Sequence, residues 1–204
     1  MEHEYIYTVD WFSSHILLWA NYLNEFKGKP NLRFLEIGSY QGRSSVWLLE
    51  NILTDDTSSI TCVDTFEGST EHHEHFRDDI TTLFETFSHN ISKFNEKVKD
   101  KVKVIRNTSQ VALKQLSLED GAGAGQYDFV YIDGDHKASS VMEDAVLSLP
   151  LLKKGGLMIF DDYLWTCCKK EIDDPKPAID AFMHLYADKI KVLFINQQVI
   201  IRKL

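Results

Sequence analysis

The tail of the chain constrains its fold more than any other stretch. Two apolar runs there, residues 191–195 and 198–202, read as strands separated by only Asn196-Gln197. Two residues close a hairpin but cannot make the crossover that a parallel pair needs, so these strands must be antiparallel. Everything before them points the other way. Residues 32–37, 59–63, 102–106, 127–132 and 157–160 are short apolar runs, interleaved with helical patterns at 44–53, 109–116, 141–152 and, after the last of them, 177–188. Strands alternating with helices build a mostly parallel sheet covered on both faces. The expectation is therefore an α/β fold with a seven-stranded, mostly parallel sheet, an antiparallel last strand and helices on both faces.

With 204 residues and 44% hydrophobic content, the chain can bury one core but not two, which predicts a single domain over residues 1–204. Ahead of the first strand, Trp11, Phe12, Ile16, Leu17, Trp19, Ala20 and Leu23 recur near helical spacing over residues 9–26, and Gly28 and Pro30 close the segment. The spacing predicts an N-terminal helix within residues 1–30, placed to cover a substrate. Residues 65–100 form an insertion after the second strand. Twenty-two basic against thirty-one acidic residues give a net charge of −9, which disfavours nucleic acid as a partner. The densest basic stretch, Lys97 to Lys103, is broken by acidic neighbours such as Asp100. The start lacks the pattern of a signal peptide and no apolar run reaches membrane length, so the expected setting is cytoplasmic, without membrane contact. Of the three cysteines, Cys62, Cys167 and Cys168, the adjacent two could pair only through a strained ring, and reduced thiols are expected.

Ligands of open α/β sheets bind beyond the carboxyl ends of the strands, and there the sequence is rich in chemistry. Glu36-Ile-Gly38-Ser39-Tyr-Gln-Gly42 follows the first strand and opens a helix. Its glycines let backbone amides approach a ligand, and the helix N-terminus favours an anionic group such as a carboxylate. The spacing departs from G-x-G-x-x-G and lacks the Gly-Lys-Ser/Thr ending of a phosphate loop. Asp64 ends the second strand, where a carboxylate can accept the hydroxyls of an adenosine ribose. A helix cap is the plainer role for such an Asp, and the ribose of NAD would satisfy it as well as that of S-adenosylmethionine.

Asp133, Asp135, Asp161 and Asp162 converge at the ends of the fourth and fifth strands. Carboxylates brought together repel unless a cation neutralises them, and oxygen ligands suit Mg²⁺, Ca²⁺ or Mn²⁺. The alternative is that Asp161 or Asp162 caps a turn and Asp135 is solvated. His136, three residues beyond Asp133, is a titratable group suited to removing a hydroxyl proton. Glu71-His72-His73-Glu74-His75 reads as a solvated loop rather than a metal tract. The aromatic stripe Phe76, Phe84, Phe87 and Phe94 reads as core first, and as a lid over the substrate mouth second.

Phe34-Leu-Glu-Ile-Gly-Ser-Tyr-Gln-Gly, Val63-Asp-Thr-Phe-Glu-Gly, Tyr131-Ile-Asp-Gly-Asp-His and Gly155-Gly-Leu-Met-Ile-Phe-Asp-Asp-Tyr resemble class I S-adenosylmethionine-dependent methyltransferases. Within that class they are similar to the small-molecule O-methyltransferase group that includes macrolide-sugar and catechol-type enzymes. The resemblance covers residues 32–203 and implies a Rossmann-like sheet whose reversed seventh strand is inserted beside the sixth. It implies that Glu36 and Gly38, with Ser39 and Gly42 of the same turn, hold the methionine end of the cofactor. Asp64 falls at the ribose, Ser109 and Gln110 at the adenine edge, and Asp133 where cofactor and acceptor meet. In catechol-type enzymes a divalent ion sits on residues matching Asp133, Asp161 and Asp162, and a lysine base stands at the offset of His136. This chain departs from the pattern in Asn107-Thr108-Ser109, where an acidic residue is common, and in Asp162, where many relatives carry an amide.

The implied reaction moves a methyl group from S-adenosylmethionine to a hydroxyl of a small molecule, with His136 and Asp133 as catalytic residues and a divalent cation such as Mg²⁺ assisting. The expected partner is a hydroxylated acceptor, with a homodimer left open. A non-catalytic S-adenosylmethionine-binding module and an NAD-dependent oxidoreductase are the rival readings. The former needs neither the Asp cluster nor His136, and the glycine spacing and terminal hairpin oppose the latter.

Overall fold

The computed structural model describes residues 4–69, 80–118, 125–166 and 170–204. Its strands are β1 (Arg33–Ile37), β2 (Ser59–Asp64), β3 (Val102–Arg106), β4 (Tyr127–Ile132), β5 (Leu152–Phe160), β6 (Ile190–Ile195) and β7 (Val199–Lys203). The helices are α1 (Ile16–Tyr22), α2 (Arg43–Asn51), α3 (Leu83–Ser92), α4 (Glu96–Lys99), α5 (Ser109–Leu118), α6 (Ala138–Leu151) and α7 (Pro175–Leu185). All seven strands join one sheet in the order β3-β2-β1-β4-β5-β7-β6. The pairs among β1 to β5 are parallel, and β7 lies antiparallel between β5 and β6. This is the sheet that the two-residue link requires, because a strand returning through so short a turn can only run backwards beside its predecessor.

Alternation along the strands divides the core into two layers. Leu35 and Ile37 of β1 join Leu113 of α5, Ala145 of α6 and Phe182 of α7 on one face. Phe34 of the same strand joins Trp19 of α1, Leu48 of α2 and Phe87 of α3 on the other. Each such side chain stabilises the sheet by about 1.5–3 kcal/mol when fully buried. The sheet therefore presents its strand ends as a rigid platform on which the loops after β1, β2, β4 and β5 converge.

Three elements differ from the sequence expectation. The N-terminal helix is short: a 3-10 turn, Ser13–His15, leads into α1, and residues 4–12 run as an irregular strap. Side chains from elsewhere take the strap's backbone groups, with Asn90 bonding both the N–H and the carbonyl of Ile6, and Gln41 accepting from the N–H of Thr8. Gly155-Gly156 does not turn into β5 but lies within it. A Cβ at Gly156 would stand 2.9 Å from the Asp128 carbonyl oxygen, and the β4–β5 register shifts there. The helix expected at 177–188 begins two residues earlier, with Pro175 in its first turn and Asp174 as its N-cap. The His-rich tract 71–75, Phe76, Cys167, Cys168 and most of the Gly-Ala run at 121–125 fall outside the described residues.

Candidate functional site

The turn after β1 is built on backbone contact. Gly38 has φ +84°, and a Cβ there would lie 1.7 Å from the carbonyl oxygen of Asp133. Only glycine lets the ends of β1 and β4 approach this closely. Beneath the turn, Glu36 is fully buried and accepts hydrogen bonds from the hydroxyls of Ser39 (2.7 Å), Ser44 (2.6 Å) and Ser45. Burial pushes its carboxyl up, while the three hydroxyls pull it back. Gly42, φ +78°, caps α2 and faces the Phe87 ring, which a Cβ would meet at 2.9 Å. Neither Glu36 nor Gly42 lines either of the two cavities that open at the strand ends. Both hold the turn from behind.

Asp64 ties the turn to β2. Its Oδ2 accepts from the amides of Ser39 (2.7 Å) and Tyr40 (2.8 Å), and its Oδ1 from that of Phe66 (2.7 Å). A carboxylate offers about four lone-pair sites, so three backbone donors leave room for one ligand hydroxyl, not the pair expected of a ribose. The plainer role of capping and the ligand-facing role thus coexist at one residue.

Two cavities open at the strand ends. The larger, about 340 Å³, runs between Asp64, Asn107, Thr108, Ser109, Gln110 and Asp135. The other, about 280 Å³, is walled by Phe12, His15, Tyr131, Asp161, Asp162 and Trp165. Trp11, Gly38, Tyr40, Asp133 and His136 line both. Of the residues expected at a cofactor, Gly38, Asp64, Ser109, Gln110 and Asp133 line the first cavity and Ser39 the second.

The acidic cluster separates into roles. Asp133 and Asp161 both lie against the Tyr131 hydroxyl, at 2.9 Å from Oδ2 of the former and closer still to that of the latter. A phenol has one proton to give, so both contacts are hydrogen bonds only when one carboxyl carries a proton. Burial pushes both carboxyls up, reinforced by the Asp161 charge at Asp133 and by the Asp162 charge at Asp161. Burial also raises the Tyr131 phenol, with the two carboxylates adding to it. Asp162 has φ +56°, a strained conformation for a non-glycine residue, and its Oδ2 sits 3.0 Å from Nε2 of His136. The same nitrogen is 3.7 Å from Oδ1 of Asp133. The ligand atoms that cluster within 4.8 Å belong to Asp133, His136 and Asp162, whereas Asp161 is turned to Tyr131. Asp135 accepts from the Ser140 hydroxyl at 2.7 Å.

Several wall residues escaped sequence reasoning. Tyr131 reads as one more core position of a buried strand. Trp165, whose ring meets His136 edge-on at 4.5 Å, lies in a loop without periodicity. His15 falls on the polar side of an apparent amphipathic helix. The aromatic stripe is core in its described part: Phe84 and Phe87 pack on Phe66, each at 5.1 Å, and Phe94 on Tyr5 at 6.2 Å.

A family model described as a methyltransferase domain matches residues 35–163, which span β1 through the loop after β5. The chain belongs to the methyltransferase domain family. A curated relative, an uncharacterized protein of Acanthamoeba polyphaga mimivirus, is 26% identical over 74% of this chain, and the chain spans 60% of that relative's length. Among solved structures, the O-methyltransferase from Bacillus cereus in complex with SAH has a TM-score of 0.59 at 18% identity, over 96% of this chain and 82% of that one. The O-methyltransferase TomG from Streptomyces achromogenes, in complex with SAM and involved in tomaymycin synthesis, has a TM-score of 0.62 at 17% identity, over 96% and 81%. A structure described as a putative rRNA-methylase from Clostridium thermocellum reaches 0.64 at 14% identity, over 93% and 95%. These likenesses show the Rossmann-like methyltransferase fold. Among the described residues no helix is long and apolar enough to cross a membrane.

Proposed function

We propose that this protein transfers the methyl group of S-adenosylmethionine to a hydroxyl oxygen of a small molecule. The observation that carries the reading is the seam between the two cavities. The glycine turn, Asp64 and the Ser109–Gln110 edge enclose the first, and it meets the second at Asp133 and His136. A two-substrate displacement needs donor and acceptor held in line on either side of one point. With the sulfonium lying against Gly38 and Asp133, a carboxylate-lined wall favours binding of the cationic donor, whose charge is lost as the methyl group leaves.

His136 is the base in this reading. Its Nε2 faces Asp162, so it can accept the acceptor's proton only when the incoming hydroxyl takes the place of that hydrogen-bonded contact. The acceptor oxygen then attacks the methyl carbon, the carbon–sulfur bond breaks, and S-adenosylhomocysteine and a methyl ether leave. Asp133 and Asp162, joined by Asp161 once it leaves Tyr131, would hold a divalent cation and leave His136 free as the base, since a crowded set of carboxylates with one shared phenolic proton is short of positive charge. Such a cation would supply Lewis acidity to the acceptor hydroxyl. A net charge of −9 disfavours an RNA acceptor.

The test is a panel of hydroxylated small molecules assayed for S-adenosylhomocysteine release, with Mg²⁺ and with excess EDTA, beside calorimetry of S-adenosylmethionine and NAD. Preferential binding of S-adenosylmethionine and release with at least one neutral hydroxylated compound are expected. Equal affinity for NAD would sink the cofactor assignment, and full activity in EDTA would remove the cation.

A further inference from the structure

The larger cavity is lined on one side by Ser109 and Gln110, the first residues of α5, and on another by Gly134 and Asp135 of the loop after β4. Behind both walls lies Asp144. It belongs to α6, which packs with α5 on one core face through Ala145 and Leu113. Asp144 lines neither cavity, is 1% exposed, and its Oδ1 has no hydrogen-bond partner among the described residues. Its Oδ2 lies 3.4 Å from where a Cβ at Gly134 would stand, and the carboxyl accepts a hydrogen bond from the Ser109 hydroxyl. Burying a carboxyl with one oxygen unbonded is costly. A leucine of much the same shape would fill the place without that cost, so packing alone does not account for the residue.

The bond from Ser109 fixes the direction of a proton. A hydroxyl can donate or accept, and a glutamine amide carries a carbonyl and an amino group that change places when it turns over. Left to themselves, Ser109 and Gln110 would serve a donor or an acceptor on the ligand equally well. A hydroxyl has a single proton, and once Ser109 gives it to Asp144 only lone pairs remain for the cavity. The Ser109 edge then accepts and cannot donate.

We propose that Asp144 is a positioning residue that, through Ser109, makes this edge of the larger cavity selective for an amino group. The proposal rests on the methyl-transfer reading and adds the means by which the cofactor's base is told apart from its oxo counterpart. The exocyclic amino group of an adenine donates to Ser109. The oxo group of a hypoxanthine at the same place sets lone pair against lone pair, and neither partner has a proton to give. Asp144 lines neither cavity, so its effect reaches the base only through the hydroxyl.

Calorimetry of S-adenosylhomocysteine against S-inosylhomocysteine tests this at pH 8, where a carboxyl that burial pushes up to about 7 is mostly ionised. The wild type should bind the adenosyl compound about tenfold more tightly, the usual worth of a hydrogen bond set against an unpaired contact. Asp144→Leu should bring that ratio to within about twofold by tightening the inosyl compound, because the freed hydroxyl can turn and donate, with adenosyl affinity kept within about twofold. Ser109→Ala should narrow the ratio from the other side, by weakening the adenosyl compound. A merely structural role for Asp144 would weaken both ligands together. If Asp144→Leu does not fold, Asp144→Ala, which also lacks an acceptor, is read in the same way. A ratio that stays near tenfold without the carboxyl, a ratio that narrows there only through weaker adenosyl binding, or a wild type without preference for the adenosyl compound overturns the proposal. Failure of S-adenosylhomocysteine to bind the wild type would instead strike the underlying methyl-transfer reading.

Discussion

Asp144 offers a quantitative check on the electrostatics beneath the larger cavity. It lies on α6, only 1% exposed, with Oδ1 lacking a hydrogen-bond partner and Oδ2 close behind Gly134. Burial pushes its carboxyl up to about 7, against a bond from Ser109, and the charges of Glu143 and Asp135 add to the rise. A raised folded value means that folding favours the protonated form. The associated stability is fully present below the unfolded value of about 3.8 and is lost as pH rises through about 7. At about 1.36 kcal/mol per unit, the loss between pH 5 and pH 8 is about 2.5 kcal/mol. Asp144→Asn removes this titration. Urea unfolding of wild type and variant at both pH values isolates the residue, because other groups cancel in the difference. The variant should gain on the wild type by about 2.5 kcal/mol between pH 5 and pH 8. A difference constant to within about 0.5 kcal/mol would show that water or a rearranged partner solvates the carboxylate, and the argument from burial would be wrong.

Gly38→Ala should be far more damaging than its size suggests: a Cβ 1.7 Å from a backbone oxygen forces β1 and β4 apart, and melting together with S-adenosylmethionine titration should both register the loss, about 3 kcal/mol or more. Asp64→Ala leaves three amides unpartnered and removes one ligand acceptor, so calorimetry should show cofactor affinity weakened by about 1–3 kcal/mol. Tyr131→Phe leaves Asp133 and Asp161 without their shared donor and should cost about 1–3 kcal/mol of stability by urea unfolding. His136→Ala should lower kcat by about 10²–10⁴-fold with cofactor affinity nearly intact; a change within about threefold would demote His136 to a wall residue.

The sheet was legible because its determinants are local. Short apolar runs ending in Gly38, Asp64, Asp133 and Asp161 announce strand ends, and Asn196-Gln197 dictates the reversal. That Gly38, Asp64, Ser109, Gln110 and Asp133 meet at one cavity was legible for the same reason, since they sit at fixed offsets from those ends. What the sequence hides is contact between segments far apart in it. Nothing local tells that Gln41 and Asn90 take the backbone of residues 6 and 8, and so the helix predicted from residue 9 gives way to a strap. Nor does periodicity distinguish His15 at a cavity wall from a histidine in water. Asp161 and Asp162 are adjacent and chemically alike, yet a left-handed backbone at Asp162 sends one carboxylate to His136 and leaves the other with Tyr131.

The hydrogen bond from Trp19 to Gln198 joins residues 179 positions apart, which has a consequence for biogenesis. Trp19 is made 179 residues before its partner. During synthesis α1 cannot dock on Tyr131 until β4 has emerged, nor give its indole N–H to its partner until Gln198 has. A large aromatic surface therefore waits in the open through translation, the situation in which nascent chains recruit chaperones or aggregate. The cavity wall carried by residues 9–15 is thus completed only after the strands on which Trp19 packs have been made, and yield on heterologous expression should be limited by this step.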